Sequence, residues 1–531
     1  MTMADVVDAV VIGAGHHGLV AASMLADAGW DVLVLEAQPE PGGAVRSAEL
    51  TPGYITDLFS SFYPMTVASP AMEALRLEEH GLQWSHAPAV VGHPRSPADD
   101  DPPVLYRDPA RTASEFARRE RADGDNWWRV VELWNRIKAP LLDAMLAPFP
   151  PVFPMLRLLL KLGTSEAVRL AHLLVQPANT MVDRLFDGEA PRVLLLGNAM
   201  HADAPLDAPG SGAFGFLMTM LGQDYGWPVP VGGSGQLTSA LVKRACSAGV
   251  RIECSQTVSR IQVRGRRAVG VSTVEGRTVR ARRAVVADVT APRLFCDMLP
   301  TDAVPDGLRR ELEHYVWDPP VVKVNYALDS PIPWRSASLQ APGTLHLGAD
   351  GHGLVRWMAD LNTRVIPDRP FMLLGQTTTA DPSRSPAGTE SVWAYTHLPR
   401  NVADDASAEQ LAKSMDQVIE EHAPGFGSRV IERFVQRPSD LEASDANLHL
   451  GALNGGTASL QQMLVFRPAP GMGRAETPVE RLYLSSASAT PGGSVHGACG
   501  RNAANAALAA DGFTGWPRRK LSRAAISLLT K

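Results

Sequence analysis

The hydrophobic pattern at the start of the chain predicts a strand, a turn and a helix, in that order. Residues 6–12, VVDAVVI, are rich in β-branched side chains, and the glycine-rich run GAGHHG follows them. The next segment, LVAASMLADAG, has the apolar spacing of a helix that ends at Gly29. A second apolar run, DVLVLEA, predicts another buried strand. Together these segments predict a βαβ unit.

Beyond this unit the pattern changes several times. Residues 66–225 have mainly helical spacing. Residues 229–263 predict a loop, a helix and strands, and the alternation and turn glycines that follow predict a β-meander returning to the first sheet. Residues 317–400 alternate strands and loops, which predicts a second sheet. The chain ends with a predicted strand, LYLSSA, a glycine-rich turn, a helix and a short tail.

One segment of the helical region is strongly apolar. Residues 145–163 read MLAPFPPVFPMLRLLLKLG, and their prolines divide the segment into pieces. One interpretation is a buried helix with a proline-rich lead; the other is an element that dips into a membrane or admits a lipophilic substrate. Arg157 and Lys161, four residues apart, would place charge on one side of this helix, as expected at an interface.

Composition and charge narrow the class of protein. The chain has 531 residues, which usually form two or more domains, and its 45% hydrophobic and 20% charged residues are ordinary for globular proteins. With 50 basic and 56 acidic residues, the net charge of -6 gives no general attraction to nucleic acid. Four cysteines without C-x-x-C spacing indicate a reducing compartment. We expect a cytoplasmic protein, with any membrane contact peripheral and at the inner face, because no apolar run is long enough to span a bilayer.

The glycine-rich run after the first strand has the pattern of a nucleotide-binding loop. Gly13, Gly15 and Gly18 form G-x-G-x-x-G, which permits a tight turn, close approach of the backbone to a pyrophosphate and close packing of helix on strand. Glu36 ends the second strand, eighteen residues after Gly18, where a carboxylate accepts the ribose hydroxyls of an adenosine. The adjoining Ala37 is expected at the same site. The combination predicts a bound dinucleotide.

The following residues indicate FAD rather than NAD. Residues 37–46, AQPEPGGAVR, place Gly42, Gly43 and Arg46 just after the second strand, which looks like the extended FAD motif with its glycine pair and basic residue near the phosphates. The alternative is an ordinary glycine turn followed by a surface arginine. His16 and His17 flank the pyrophosphate loop, and they either add donors to the phosphates or are only positional.

Together with GYITD at residues 53–57, these motifs resemble the phytoene desaturase-like branch of the flavin amine oxidase superfamily, and GAGHHGL is most similar to its bacterial and mitochondrial phytoene dehydrogenase-related group. The matches VGGSGQLTSAL, QTVSRI and PGGSVHG, together with the N-terminal motifs, cover about a third of the chain. The resemblance implies that GYITD lies near the flavin ring and that Val258 meets the adenine. It also implies flavin contacts by Ser488, Gly492, Gly493 and Val495.

The C-terminal motif departs from the family at three positions. Ser486 and Ser488 replace glycines, and His496 replaces an apolar residue. His496 is therefore a candidate catalytic residue, because an imidazole beside the flavin can exchange a proton as hydride moves. The alternative is a histidine that hydrogen-bonds loop carbonyls.

Three further features are a polar island, Asp288 and the C-terminal tail. His201, Asp203 and Asp207 form a polar island that either faces the substrate or serves capping and turns. Asp288 begins the linker after the meander and is not predicted to be catalytic. Residues 516–531 are a basic amphipathic tail, which is either a membrane-surface helix or a solvated tail. No metal site is predicted.

The resemblance implies an α/β fold in which a Rossmann-like FAD domain is assembled from residues 1–66, 226–315 and 470–515. Residues 67–225 would form a mainly helical cap, and residues 316–469 a substrate-domain sheet with helices. The implied function is an FAD-dependent dehydrogenase, desaturase or flavin-assisted isomerase that passes hydride from a lipophilic, unsaturated, isoprenoid-like substrate to flavin N5. Oxygen, a quinone or another acceptor would reoxidise the flavin. The alternatives are an amine oxidase acting on a C–N bond and a flavoprotein with a structural or interaction role.

Overall fold

A computed structural model describes residues 5–511. The strands of this part of the chain are β1 (Asp5–Ile12), β2 (Val32–Leu35), β3 (Ser47–Thr51), β4 (Tyr54–Asp57), β5 (Trp84–Ser85), β6 (Ala89–Gly92), β7 (Val104–Leu105), β8 (Val229–Pro230), β9 (Arg251–Glu253), β10 (Val258–Arg264), β11 (Arg267–Thr273), β12 (Thr278–Ala287), β13 (Val321–Leu328), β14 (Pro342–Leu347), β15 (Met372–Gln376), β16 (Glu390–His397), β17 (Val430–Gln436) and β18 (Leu482–Leu484).

The helices of the same residues are α1 (His16–Asp27), α2 (Pro64–Val67), α3 (Pro70–Glu73), α4 (Pro109–Arg119), α5 (Arg121–Leu146), α6 (Val152–Leu174), α7 (Ala178–Leu185), α8 (Glu189–Ala199), α9 (Ser211–Asp224), α10 (Gly235–Ser247), α11 (Asp306–Glu313), α12 (Gly351–Asn362), α13 (Thr377–Ala380), α14 (Asp405–His422), α15 (Phe426–Arg429), α16 (Pro438–Ser444) and α17 (Ala498–Asp511).

The first sheet contains the predicted βαβ unit. Its strand order is β10-β11-β12-β1-β2-β9, and β18 pairs with the end of β12. β1 runs parallel to β2 and β12, and all four residues of β2 are buried, as expected for a sheet covered on both faces. The antiparallel strands β10, β11 and β12 form the predicted meander. The α/β fold with a Rossmann-like sheet is therefore confirmed.

Helices from opposite ends of the chain cover this sheet together. α1 packs against α10 and against α17, which is the last described element. The α1–α17 contact is very close, because a Cβ atom added to Gly500 would lie 2.0 Å from the carbonyl oxygen of His17. The packing places the start of α17 beside the glycine loop at the start of α1.

The second sheet has the strand order β17-β13-β16-β15-β14-β6-β7. Every residue of β13 is buried, and α14 packs on this strand. β6 and β7 come from the region with mainly helical spacing, so that prediction was wrong for the strands between residues 84 and 105. The short apolar segment around Val90 is a strand because β6 pairs in parallel with β14, a contact between residues far apart in the chain.

The helices α4 to α9 and the second sheet share one large apolar core. Trp127 and Trp134 of α5 are each 1% exposed, and the same cluster includes Leu373 and Trp393 from the second sheet. The core therefore continues from the helical region into the sheet.

α6 contains most of the apolar segment noticed in the sequence, and the interpretation as a buried helix was wrong. Only Leu158, Leu162 and Leu170 of α6 are buried, whereas Phe153 and Leu160 are 75% and 76% exposed. α6 lies on the outside of the helical region, where only one narrow side of the helix packs against α5 and α9. Within residues 5–511, no helix is long and apolar enough to cross a membrane.

Candidate functional site

The glycine loop after β1 has the geometry that dinucleotide binding requires. Gly13 has a φ of 94°, which favours glycine, and a Cβ atom added to Gly18 would lie 2.2 Å from the Gly13 carbonyl oxygen. The loop leads directly into α1, and the backbone amides at a helix start favour a bound anion.

Glu36 lies beside this loop, at the end of β2. Its Oε2 accepts a hydrogen bond of 2.6 Å from the backbone N–H of Ala14, and its Oε1 accepts one of 2.8 Å from Gln38. The backbone N–H of Gln256 donates to the Glu36 carbonyl over 2.8 Å, which brings the start of β10, and so Val258, to the same edge. Ala37 is exposed at this edge. The adenosine contacts of these residues stay predictions, but the structure does bring them together.

The glycine pair after β2 closes over the first loop. Gly42 donates to the carbonyl of Ala14 over 2.9 Å, and a Cβ atom added to Gly43 would lie 3.4 Å from the Cα atom of Gly15. Arg46 donates from Nε to the Gly43 carbonyl over 3.0 Å and from Nη2 to the Ser444 carbonyl over 2.9 Å. Arg46 thus braces the loop, and its contact with a phosphate stays a prediction.

The C-terminal turn PGGSVHG meets these N-terminal loops. The Ser69 hydroxyl donates to the His496 carbonyl over 2.5 Å, and the Thr66 hydroxyl donates to the carbonyl of Val495. The rings of His17 and His496 lie 5.1 Å apart between centroids. The predicted flavin-contacting residues at the two ends of the chain are therefore neighbours.

Ser488 and the glycine pair of this turn pack against a second loop. The Ser488 hydroxyl donates to the Gly455 carbonyl over 2.9 Å, and a Cβ atom added to Gly493 would lie 2.6 Å from Oδ1 of Asn454. Gly492 has a φ of 123°. Residues 454–457 therefore support the turn from the side of the second sheet.

Both ring nitrogens of His496 are engaged with the backbone. Its Nδ1 accepts from the Ala498 N–H over 3.0 Å, and its Nε2 lies 3.2 Å from the Gly492 carbonyl, to which it donates. Burial lowers the pKa of His496 to about 3. This geometry favours a histidine that shapes the turn, and the catalytic role stays a prediction.

His17 differs from His496, because both of its ring nitrogens are buried without a protein partner. Burial, together with the nearby His16 and His496, lowers its pKa well below the usual value. A buried nitrogen without a partner is costly, which favours an external group that completes its hydrogen bonds. Together with the converging loops, this observation fits the predicted FAD, whose diphosphate would lie at the start of α1.

The three residues of the polar island, His201, Asp203 and Asp207, lie in different environments in the structure. Asp203 is buried, with its Oδ1 2.9 Å from Nε2 of His397 and its Oδ2 accepting 3.1 Å from Asn454. Nδ1 of His397 lies 3.2 Å from the carbonyl of Pro319, so both ring nitrogens lie beside acceptor oxygens. Burial lowers the pKa of His397, but Asp203, the Pro319 carbonyl and Asp318 together outweigh burial and raise it. His201 turns inward, 3.0 Å from His346 between Nε2 atoms, while Asp207 is exposed.

A buried cluster of charges under the GYITD segment was missed by sequence reasoning. Nη2 of Arg384 lies 2.7 Å from Oδ2 of Asp57, and the Lys323 ammonium donates to the carbonyl of Asp57. Burial lowers the pKa of Lys323 to about 7. The available signal was a lysine inside the apolar strand VVKVNYAL; neither the spacing nor the composition pointed to Arg384.

Comparison with known proteins shows the family of the chain. The family model for flavin-containing amine oxidoreductases matches residues 18–508. Pyridine nucleotide-disulfide oxidoreductase domain-containing protein 2 of Rattus norvegicus is 30% identical, over 94% of this chain and 92% of its own length. One of the subunits of limonene dehydrogenase from Castellaniella defragrans is 22% identical over 96% of each chain. Hydroxyneurosporene desaturase of Cereibacter sphaeroides is 29% identical over 64% of this chain and 71% of its own.

Among solved structures, putrescine oxidase bound to putrescine has the same fold, with a TM-score of 0.60 and 16% identity over 95% of this chain and 98% of its own. The FAD contacts of the glycine loops, Glu36 and the C-terminal turn stay predictions. The chain thus belongs to the flavin-containing amine oxidoreductase family, as an oxidoreductase with FAD as its cofactor.

Proposed function

We propose that the protein is a dehydrogenase, desaturase or flavin-assisted isomerase acting on a lipophilic unsaturated substrate. The observation that carries the proposal is an apolar wall between the cofactor loops and the second sheet. This wall consists of four partly buried side chains that pack against the buried Val321, Leu441 and Leu448: Ala44, which follows the Gly42–Gly43 pair, Phe59, Tyr395 and Leu453. A hydrocarbon substrate is suited to this position, because the wall supplies dispersion contacts and excludes water.

Aromatic side chains extend the wall along one face of the second sheet. The rings of Phe62 and Trp393 lie 6.0 Å apart, and those of Trp393 and Tyr395 stack at 5.9 Å. Tyr395 is partly buried. Such a surface suits an extended conjugated or isoprenoid chain.

The names of two relatives support the same substrate class. Limonene dehydrogenase and hydroxyneurosporene desaturase are named for reactions on unsaturated isoprenoid compounds. They remain distant, at 22% and 29% identity, so they support a class of substrate rather than one compound.

When bound, FAD supplies the hydride acceptor at N5. The chain's own residues would orient the substrate by apolar contact and keep water out of the site. Loss of a hydride and a neighbouring proton also needs a proton acceptor. Lys323 suits this role, because it lies opposite Tyr395 of the apolar wall across β13 and β16 and its pKa is about 7.

The test is an anaerobic titration of the purified flavoprotein with limonene-like and polyene compounds in detergent, and separately with amines. Bleaching of the oxidised flavin band by the unsaturated compounds alone is the expected result. Bleaching by amines alone would replace the proposal with amine oxidation, and no bleaching by either would favour a structural flavin.

Variants of Tyr395 sharpen this test. Tyr395→Phe keeps the apolar wall and should keep reduction of the flavin by the unsaturated compound. Tyr395→Asp places a charge in the wall and should slow reduction at least about a hundredfold, since burying an unpaired charge costs several kcal/mol. Equal rates for the two variants would contradict an apolar substrate at this face.

Amine oxidation is the second candidate, and a specific observation favours it. The stacked Trp393 and Tyr395 rings form the kind of aromatic pair that borders amine substrates, and they come from β16 rather than from the C-terminal motif.

The proposed electron acceptor is oxygen or a quinone. We also propose a peripheral membrane contact through the exposed apolar side chains of α6, which would bring the protein to both a lipophilic substrate and a membrane quinone.

A further inference from the structure

Asp288 follows β12 directly, and its carboxyl group lies within the glycine loop. Its Oδ2 accepts a hydrogen bond of 2.8 Å from the backbone N–H of Gly18, in the first turn of α1. A Cβ atom added to Gly15 would lie 2.9 Å from the same oxygen. Asp288 is 6% exposed. The carboxyl therefore occupies the place where the start of α1 meets the predicted diphosphate.

This carboxyl has no compensating cation among residues 5–511, where no ion pair involves Asp288. The groups around it are acidic or weakly acidic. Asp445 and Glu36 act on it through their charges, and the buried Cys499 thiol lies close by on α17. Arg46 faces Asp445 rather than Asp288. Burial, reinforced by Asp445 and Glu36, raises the pKa of Asp288 to about 8.

FAD brings two further negative charges to the same loop, because its diphosphate binds at the amide groups of the helix start. An ionised Asp288 would repel this diphosphate. A protonated Asp288 would instead bind the diphosphate. Its Oδ2 can keep the hydrogen bond from Gly18, while the O–H of the carboxylic acid donates to a phosphate oxygen.

We propose that Asp288 is a protonated ligand of the FAD diphosphate, so that FAD binding requires one proton on this carboxyl. The inference rests on the placement of FAD at the glycine loop and adds a proton linkage to that site. It concerns binding of the cofactor, and it holds whichever substrate is oxidised.

The proton linkage predicts the direction in which the Kd for FAD changes with pH. Below the pKa of the free protein, Asp288 already carries the proton, so the Kd for FAD is independent of this group. Above it, each FAD that binds must take up one proton. The Kd should then rise about tenfold per pH unit, with a break near pH 8.

The direct experiment is calorimetric titration of the flavin-depleted full-length protein with FAD, at pH 6.5 and pH 9, in two buffers of different ionisation enthalpy. The difference between buffers gives the number of protons taken up. About one proton per FAD is expected at pH 9, and close to none at pH 6.5. Absence of uptake at pH 9 would overturn the proposal. Loss of FAD from the intact flavoprotein on ultrafiltration across the same range gives an independent measurement.

Two variants test the residue itself. Asp288→Asn keeps the size, the acceptor for Gly18 and a donor for the phosphate, so its Kd at pH 6.5 should stay within a few fold and the rise above pH 8 should disappear. Asp288→Leu removes both contacts and should weaken FAD binding at least about tenfold at pH 6.5. An Asp288→Asn protein that retains the full pH dependence would contradict the proposal and assign the proton elsewhere.

Asp445→Asn is the matched control. It removes a neighbouring charge that helps to raise the pKa of Asp288, so the break in the FAD affinity should move to lower pH while the slope above it remains. A protein that binds FAD with a pH-independent Kd refutes this inference alone. A protein that binds no FAD under any condition also removes the basis of the proposed function.

Discussion

At the scale of single residues, Lys323 is a buried amine that lowers the stability of the protein at neutral pH. Its pKa is about 7 in the folded protein and 10.5 in the reference state, because burial disfavours the ammonium. Below pH 7 the folded state carries the full penalty of a buried charge. As pH rises from 7 to 10.5, the native amine is neutral while the unfolded chain still binds the proton, so stability increases with pH.

We therefore expect Lys323→Met to stabilise the protein most at pH 7 and below. Between pH 7 and pH 9 this advantage should shrink by about 2 to 3 kcal/mol, since one pKa unit corresponds to about 1.4 kcal/mol. Urea unfolding of both proteins at the two pH values measures the difference. Lys413→Met, at an exposed position of α14, is the control and should change stability equally at both. A gain from Lys323→Met that is the same at both values would show that the native lysine stays charged.

At the scale of elements, Arg467 joins three loops around the C-terminal turn. Its side chain is almost fully buried and donates to the carbonyls of Ala487, Thr457 and Asn454 over 2.7, 3.0 and 2.6 Å. Among residues 5–511 no carboxylate pairs with it. Arg467→Met would leave these buried carbonyls without donors, at about 1 kcal/mol or more each.

We expect Arg467→Met to lower the free energy of unfolding by at least about 3 kcal/mol and to speed the release of FAD, because residues 454–457 support the flavin turn. Arg474→Met is the control, because the Arg474 side chain is 42% exposed and its ion pair with Glu476 is long, at 3.6 Å; this variant should change stability by less than about 0.5 kcal/mol. Denaturant unfolding and flavin fluorescence measure the two effects. Similar losses in both variants would contradict the role given to Arg467.

Arg467 is also one of the residues whose role could not be predicted from the sequence. The glycine loop, Glu36 and the C-terminal turn were predictable because each needs a local pattern: positive φ, close packing or a strand end. Arg384 and His397 act through partners far away in sequence, and Arg467 acts through carbonyls 10 to 20 residues away; an isolated arginine or histidine gives no local sign of such partners. β6 was missed for the same reason, because its pairing with β14 overrides a helical context.

At the scale of the whole molecule, the exposed face of α6 is the most unusual surface feature. Phe153, Leu156 and Leu160 are 75%, 49% and 76% exposed within two turns. Arg157 lies among them, 3.4 Å from Asp143, and Lys161 is exposed on the same stretch. A continuous apolar surface flanked by basic groups suits a membrane with anionic headgroups.

We expect the protein to sediment with vesicles that contain anionic lipid, and less with neutral vesicles or in high salt. Phe153→Glu together with Leu160→Glu should weaken this binding at least about tenfold, because each apolar side chain contributes about 1.5 to 3 kcal/mol when it leaves water. Val274→Glu is the matched control: Val274 is 66% exposed, but it lies alone in a turn of the meander, so binding should not change. All three proteins should keep their flavin content, which separates loss of docking from loss of folding. Equal sedimentation of the double variant and the wild type would show that α6 does not contact the membrane, and a chain lacking residues 512–531 would then test the tail as the anchor.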